Sequence, residues 1–331
     1  MTYTVGGLIQ AADYNGFVST NSANVNGQWG TGSGGSGWGQ TPLSTVSAAG
    51  VVTATNWSSL VSTLATMGDQ TSSTLTSRTG PVAGNVISVL ANVNTDITTC
   101  QTNNNTTAAV GTEYGTFTGT TSKTTATGSG QAAWTITFTH TITFDSANAT
   151  RYFWNAGGRV RLQYGKSSTG TDTDPDWNTF AGECGSIYLS GRLNGAAQTI
   201  VGVTYTGTTR IGGTGGTQTT LATTTGWYNL TGSPVSIFKL TNATSPYSGE
   251  YIETTATATS STVLTLVTTW VSDGSSGAGT TADISGGTGV SSPATSIGAA
   301  TAPTTLCTYI PPSTTYLTNT WGTPTIAASV A

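Results

Sequence analysis

Acidic side chains cluster at one place in this chain, the run DTDPDW at residues 172 to 177. Asp172, Asp174 and Asp176 stand at alternate positions, and Glu183 occupies the twelfth position counted from the first of them. Carboxylates spaced in this way can converge on one hard cation, as they do in calcium loops. Trp177, however, replaces the glycine that makes the sharp turn of an EF-hand. The pattern therefore leaves two alternatives, a calcium site or a solvated acidic loop that pairs with nearby arginines, and no other cofactor is expected.

The single histidine is the first candidate for acid–base catalysis, because most catalytic triads and general acid–base sites use one. His140 lies in the run WTITFTHTITF, where it shares the phase of Trp134, Ile136 and Phe138. That phase is the apolar face of a strand, which predicts packing in the core or at a subunit interface. We therefore expect no enzymatic activity. A glycosidase-type pair of carboxylates is the enzymatic alternative, although the spacing selects no particular pair.

Tryptophans in loops are the candidates for ligand contact. Trp29 and Trp38 lie in a Gly-rich stretch, and Trp177 follows the acidic cluster. Large amphipathic rings are common at binding surfaces. These three residues are therefore candidate contacts for a glycan, with packing between subunits as the alternative.

Basic residues concentrate in RYFWNAGGRVRLQYGK, residues 151 to 166, which holds four of the nine Lys and Arg residues. Residues 155 to 158 predict a tight turn, because a Gly-Gly pair permits positive φ, and the aromatic residues before it would anchor the sheet. The following alternation predicts a strand that carries Arg159 and Arg161 on its polar face. We expect these two arginines to form a structural or intersubunit clamp with the carboxylates at 172 to 183, and an anion site is the alternative.

Composition narrows the class of protein. The chain of 331 residues is rich in Thr, has 44 Gly and nine Trp, and is only 7% charged, which favours extended strands with frequent turns over disorder. A net charge of −4 without a basic stripe argues against nucleic-acid binding. No apolar run approaches the roughly 20 residues that span a bilayer, so membrane insertion is not expected. Three widely spaced cysteines predict buried free thiols and a reducing compartment of synthesis.

Residues 1–110 have the pattern of a helical assembly or attachment region. Apolar residues recur at helical spacing over 14–25, over 57–67 after the cap candidate Thr53, and over 86–97. These three segments predict amphipathic helices.

A Gly-rich connection, residues 27–50, separates the first two predicted helices and is long enough to be a functional or interface loop. It contains the spacing GxGxxG at Gly30, Gly32 and Gly35. Because no apolar strand precedes these glycines, we do not expect a dinucleotide site.

Residues 111–331 change to a period of two. They predict a Thr/Gly-rich antiparallel β-sandwich or jelly-roll-like domain, which makes the whole chain mainly β with an α-helical N-terminal region. The segment 272–305 has little periodicity, and we expect it to run over a surface. The strands are expected at 134–144, 159–164, 186–193, 199–206, 226–230, 235–241, 250–259 and 262–271.

Two stretches resemble structural proteins of tailed-bacteriophage virions, of the tail, neck or fibre type. The first contains AADYNGFVSTNSANVNGQWG, a WGQ step and VVTATNWSSLVSTL, and covers residues 8 to 65. The second contains FDSANATRYFWNAGGRVRLQ and covers residues 135 to 163. The resemblance implies a virion component that is made in the bacterial cytoplasm and contacts copies of itself and other virion proteins. It brings no catalytic residues to carry over.

We therefore expect a non-enzymatic virion protein that self-assembles into a ring or fibre-like appendage. The alternative is a receptor- or glycan-binding protein of a tail fibre or tip, which would bind a host surface glycan. An enzyme that degrades such a glycan would instead depend on Asp174 or Glu183.

Overall fold

The computed structural model describes residues 10–19, 23–83, 92–120, 134–166, 173–243, 248–272 and 303–331. In these residues the chain is mainly β, with three sheets rich in antiparallel pairs and few helices. The helices are α1 (Ala11–Val18), α2 (Val25–Trp29), α3 (Ala54–Gln70), α4 (Val93–Thr102), α5 (Ala147–Asn155) and α6 (Thr173–Glu183). None of the helices in this part of the chain is both long and apolar enough to cross a membrane.

Helix α3 begins at the residue that the sequence predicts as its cap. The Thr53 hydroxyl accepts a hydrogen bond from the backbone N–H of Asn56, and the Asn56 side chain accepts one from the backbone of Thr53. This reciprocal pair satisfies two donors of the first helical turn. The first predicted helix is two short helices, α1 and α2. The third is α4, and its predicted start at residue 86 lies outside the described residues.

The strands form one six-stranded, one five-stranded and one three-stranded sheet. Their orders are β14-β3-β12-β11-β10-β9, β2-β13-β4-β5-β8 and β1-β6-β7. The strands are β1 (Thr106–Thr107), β2 (Tyr114–Thr120), β3 (Trp134–Thr143), β4 (Arg159–Gly165), β5 (Ser186–Leu189), β6 (Gln198–Ile200), β7 (Val203–Tyr205), β8 (Thr208–Ile211), β9 (Thr217–Leu221), β10 (Val235–Thr241), β11 (Tyr251–Ser260), β12 (Val263–Ser272), β13 (Thr304–Ile310) and β14 (Thr325–Val330).

Most predicted strands are confirmed. The segments 134–144, 235–241 and 262–271 correspond to β3, β10 and β12. The other confirmed predictions are β4, β5, β6 with β7, and β11. The strand predicted at 226–230 is wrong, because Trp227–Asn229 is a turn of 3₁₀ helix in which Leu230 N–H bonds back to the carbonyl of Trp227. Most of the predicted surface segment 272–305 lies outside the described residues.

The two larger sheets contact each other through aromatic side chains. Tyr164 on β4 stacks on Phe238 of β10, with 5.8 Å between ring centroids, and its hydroxyl lies 2.8 Å from that of Thr254 on β11. Trp270 on β12 donates its indole N–H to the hydroxyl of Thr305 on β13 at 3.1 Å. The apolar faces of the two sheets therefore meet, with their few polar atoms paired across the contact.

The helical N-terminal region shares this core. A single cluster of buried side chains runs from Tyr14 and Trp57 to Trp270 and Ile326. Strand β1 also pairs in parallel with β6, so that Thr106 lies opposite Thr199. The change of periodicity near residue 110 thus divides two kinds of secondary structure that pack on one another.

Candidate functional site

The Gly-rich loop is held against helix α5 by one buried amide. The side-chain N–H groups of Asn155 contact the carbonyls of Ser36 at 2.7 Å, Gly37 at 2.9 Å and Gly34 at 3.3 Å. The Tyr228 hydroxyl donates to the Asn155 side-chain oxygen at 2.7 Å. Because buried carbonyls need hydrogen-bond donors, the Asn155 amide supplies donors to loop carbonyls that pair with no N–H of the loop. We call residues 31–40 together with α5 the loop–helix joint.

Arg151 strengthens the loop–helix joint from its exposed side. Its guanidinium donates to the carbonyl of Thr31 at 2.5 Å and to that of Ser36 at 3.3 Å. It also contacts the side-chain oxygen of Asn148 one helical turn earlier at 3.0 Å. One nitrogen of this guanidinium therefore bonds to two backbone oxygens of the loop, and another bonds to α5 itself.

Close packing at the loop–helix joint requires glycine at position 39. Gly39 has φ +70°, and a Cβ atom there would lie 2.4 Å from the ring of Tyr152 on α5. The backbone N–H of Gly39 donates to the carbonyl of Gly30 at 2.8 Å, which ties the two limbs of the loop together. A larger residue would have to push the loop away from the helix.

The loop also binds the C-terminal segment of the chain. The Gln40 side chain donates to the carbonyl of Thr318 at 3.0 Å and accepts from its backbone N–H at 2.9 Å. The Thr320 hydroxyl donates to the carbonyl of Trp38 at 2.7 Å. Residues separated by about 280 positions in sequence are thus fixed to each other through the Gly-Gln step.

The two arginines of β4 contact described residues other than the carboxylates that the sequence suggests as their partners. Arg161 pairs with Glu113 at 2.5 Å, and Arg159 is buried under the ring of Tyr205 at 4.7 Å from its centroid. Burial lowers the pKa of Arg159 from its ordinary value, and the nearby tyrosines oppose that effect. Strand pairing positions Glu113 for this contact. Thr308 of β13 lies opposite Arg161, and the Thr308 hydroxyl donates a hydrogen bond to the Glu113 carboxylate. Arg161 and Glu113 thus form an ion pair within the chain, and the intersubunit clamp stays a prediction.

The acidic segment, which the sequence predicts as a calcium site or a solvated acidic loop, is helix α6 from residue 173. Asp174 and Asp176 are residues of this helix. Asp172 lies outside the described residues, and the carbonyl of Glu183 accepts from Arg210 at 2.5 Å. Within the described ranges no three His, Cys, Asp or Glu side chains come together as a metal site. The segment 173–183 is helical, and the calcium hypothesis stays a prediction.

His140 lies in the core of the six-stranded sheet. On β3 it pairs with Leu266 of β12 on one side and with Ala328 of β14 on the other, and its side chain is fully buried. The core alternative is therefore confirmed, and the position is not at the surface of the chain where a second copy could reach it. Trp134 is the first residue of the same strand, opposite Ser272 of β12.

The tryptophans proposed for glycan contact have different surroundings. Trp38 is 1% exposed, and Trp177 is fully buried, stacked on Trp270 with 5.6 Å between centroids. A buried ring offers no face to a sugar, so these two positions are corrected to core residues. Trp29 is half-buried, and its indole N–H donates to the carbonyl of Thr41 at 2.9 Å. It alone of the three keeps some exposure.

The three cysteines are free and buried, as the sequence predicts. Burial raises the pKa of the Cys100 thiol to about 11, and it also raises the pKa of Cys184 and of Cys307. Thiols with raised pKa values stay protonated at neutral pH and are poor nucleophiles. These side chains contribute to packing in this fold.

Comparisons with known proteins give no relative from which a role could be carried over. No protein-family model matches the chain, and no curated protein or solved structure matches it at a significant level. The description of the loop–helix joint therefore rests on its own geometry.

Proposed function

We propose that this chain is a non-enzymatic structural component of a tailed-bacteriophage virion, made in the bacterial cytoplasm and self-assembling into a ring or fibre-like appendage. The observation that carries the proposal is the loop–helix joint. The two stretches that resemble virion proteins, residues 8 to 65 and 135 to 163, are joined by the bonds of Asn155 and Arg151. Two separate motifs that build one rigid joint are the expected arrangement if the resemblance reflects a shared structural unit.

We further infer that the two larger sheets form a β-sandwich or jelly-roll-like body. The inference is supported by the stacking of Tyr164 on Phe238 and by the bond from Trp270 to Thr305, each of which joins one sheet to the other. Antiparallel sheets that bury one face against each other are a common solution for structural domains. Such a body provides a rigid platform for assembly.

The hairpin of β6 and β7 supplies a surface through which copies could associate. β7 is an edge of its sheet, and Val203 on it is 43% exposed. Val201, at the turn, is also exposed and has φ +48°, a conformation that is costly for a β-branched residue. Unpaired strand edges with exposed apolar side chains favour pairing with another chain. We expect copies to associate here around a closed symmetry axis.

Light scattering over a concentration series tests this association. The purified chain is expected to form an oligomer, and Val203→Lys is expected to shift the equilibrium towards monomer because an edge charge opposes strand pairing. Val51→Lys is the matched control, since Val51 is 82% exposed in a loop before α3. A chain that is monomeric at every concentration and within purified particles would overturn the assembly proposal.

The second candidate is a receptor- or glycan-binding protein of a tail fibre or tip. One observation favours it, a cavity lined by neutral amides and hydroxyls between the Gly-rich loop and α4. Binding of host surface polysaccharide to the purified chain tests this candidate. Because Trp38 and Trp177 are buried, binding is expected to survive conservative changes at both of them, and a panel of polysaccharides that gives no binding would exclude it.

A further inference from the structure

A cavity of about 300 Å³ lies beside the loop–helix joint. Its walls come from the Gly-rich loop, from the end of α4 with the turn that follows, and from the 3₁₀ turn at Leu193–Gly195. The side chains that line it are uncharged amides and hydroxyls, namely Gln28, Ser33, Ser36, Gln101, Asn104 and Asn194. A wall of this composition can both donate and accept hydrogen bonds without selecting for an ion.

Gln28 contributes a fixed side chain to the wall of the cavity. Its side chain is 1% exposed, and its amide N–H donates to the carbonyl of Cys100 at 3.1 Å, which fixes the orientation of the amide. The side-chain oxygen then accepts no hydrogen bond from any residue that the structure describes.

The walls of the cavity are held in place by short-range bonds. The Ser36 hydroxyl donates to the carbonyl of Ser33 at 2.7 Å and accepts from its backbone N–H at 3.2 Å. Across the cavity, Asn194 has φ +51°, and its side-chain oxygen lies so close to Gly35 that a Cβ there would be 2.9 Å away. Fixed walls reduce the entropy that a ligand must overcome on binding.

We propose that this cavity binds one neutral sugar unit, such as a hexose or an N-acetylhexosamine. Sugar hydroxyls act as donors and acceptors together, which matches amides and hydroxyls on all sides. None of the lining residues in the described part of the chain is charged, which disfavours phosphorylated or sialylated ligands, whose charge would be desolvated without a partner. The volume is at the lower end for ligand sites, which fits one ring and not a longer chain. This site is independent of whether the chain assembles in a virion.

Ser33→Phe is the variant that tests the site most directly. The hydrogen bonds of Ser33 run through its backbone, so a larger side chain can project into the cavity without removing them. Ser44→Phe is the matched control, an exposed serine of the same Gly-rich loop that does not line the cavity. Both variants are expected to unfold at the temperature of the unchanged chain.

Saturation-transfer NMR with the methyl glycosides of glucose, galactose, mannose and N-acetylglucosamine measures binding. At least one glycoside is expected to bind, with affinity reduced about tenfold, or about 1.4 kcal/mol, by Ser33→Phe and unchanged by Ser44→Phe. Asn194→Gly removes one lining amide while keeping the positive φ, and it is expected to weaken binding with the fold intact. Free sugars are measured in parallel. A site for a free sugar should bind the free form more tightly than the methyl glycoside, whereas a site for the end of a glycan chain should not.

Two results would overturn the proposal. The first is the lack of saturation transfer to every neutral glycoside in the panel. The second is a bound glycoside whose affinity is the same in Ser33→Phe and in Ser44→Phe, since binding would then occur elsewhere on the chain.

Discussion

Replacing Asn155 by alanine should loosen the Gly-rich loop and destabilise the whole chain. The change removes the donors to the carbonyls of Ser36 and Gly37, which are the two shortest bonds from the Asn155 amide to the loop. Each net hydrogen bond contributes about 0.5–1.5 kcal/mol, and a buried group left unpaired costs about 1–3 kcal/mol. Since water can reach part of the loop, we expect a loss of about 2–4 kcal/mol in the free energy of unfolding.

Asn155→Asp separates the donor role from simple packing. The introduced carboxylate has nearly the shape of the amide but presents acceptors to carbonyl oxygens, so at neutral pH it should destabilise more than alanine does. Contact with carbonyls raises the pKa of such a carboxyl above its unfolded value of about 3.9. The stability of this variant should therefore be greatest below that unfolded pKa and decline as pH rises through the higher folded pKa.

Urea unfolding followed by tryptophan fluorescence measures both changes, and hydrogen exchange of the Trp38 and Gly39 amides reports the loop itself. These amides bond to the carbonyls of Gln28 and Gly30, so they should lose protection when the joint loosens. Asn94→Ala at an exposed position of α4, away from the joint, is the control and should stay within about 0.5 kcal/mol of the unchanged chain. An Asn155→Ala variant that matches this control in stability and protection would refute the reasoning.

Three further predictions concern the charged face, the thiols and the tryptophans. Arg161→Ala and Glu113→Ala should each lower the free energy of unfolding by less than about 1 kcal/mol, because the ion pair is partly exposed. A double-mutant cycle in urea measures the coupling between the two residues, and a coupling energy well above about 1 kcal/mol would contradict this prediction. The cysteines should be inert to a thiol reagent in the folded chain and reactive in denaturant. The raised pKa of Cys100 also makes stability depend on pH: its contribution to the free energy of unfolding should be complete below the unfolded pKa of 9.0 and decline as pH rises through about 11. Rapid labelling of the native chain would refute this. Trp177→Ala should cost about 3–5 kcal/mol in thermal or urea unfolding, and Trp29→Ala clearly less, because only the first indole is fully buried; equal losses would contradict these burial differences.

Local patterns predict the regular elements well. Strict alternation identifies β3, whose inward residues are buried, and the cap at Thr53 identifies the start of α3. Each depends only on neighbours within a few residues, where propensity and periodicity act. Helix α5 is not predicted from the sequence. Its start signal is present, since the Ser146 hydroxyl accepts a hydrogen bond from the N–H of Ala149, but the aromatic residues that follow do not repeat at a clear helical spacing.

Helix α6 contains two competing sequence signals, the spacing of its carboxylates and a proline near its start. Pro175 stands in the first turn of this helix, where its fixed φ and missing N–H are tolerated, and that signal favours a helix over a calcium loop. With the segment helical, Trp177 falls on a buried face and stacks with Trp270. The spacing of the carboxylates alone could not reveal this.

The partners of the candidate residues depend on long-range pairing that no local pattern contains. Arg161 meets Glu113 only because β13 pairs with β4 and its Thr308 hydroxyl orients the carboxylate. Asn155 meets the Gly-rich loop across about 118 residues of sequence. The cavity lined by Gln28 likewise needs three separate segments to come together.

The proposed virion role is tested most directly by locating the chain in an electron-microscopy map of purified phage particles. The proposal predicts that the loop–helix joint and the paired sheets fit a symmetric, multi-copy ring or fibre-like appendage, with copies in contact near Val203. Particles whose mass spectra contain the chain but whose map places it as an isolated monomer would contradict self-assembly. Particles that lack the chain altogether would contradict the virion role.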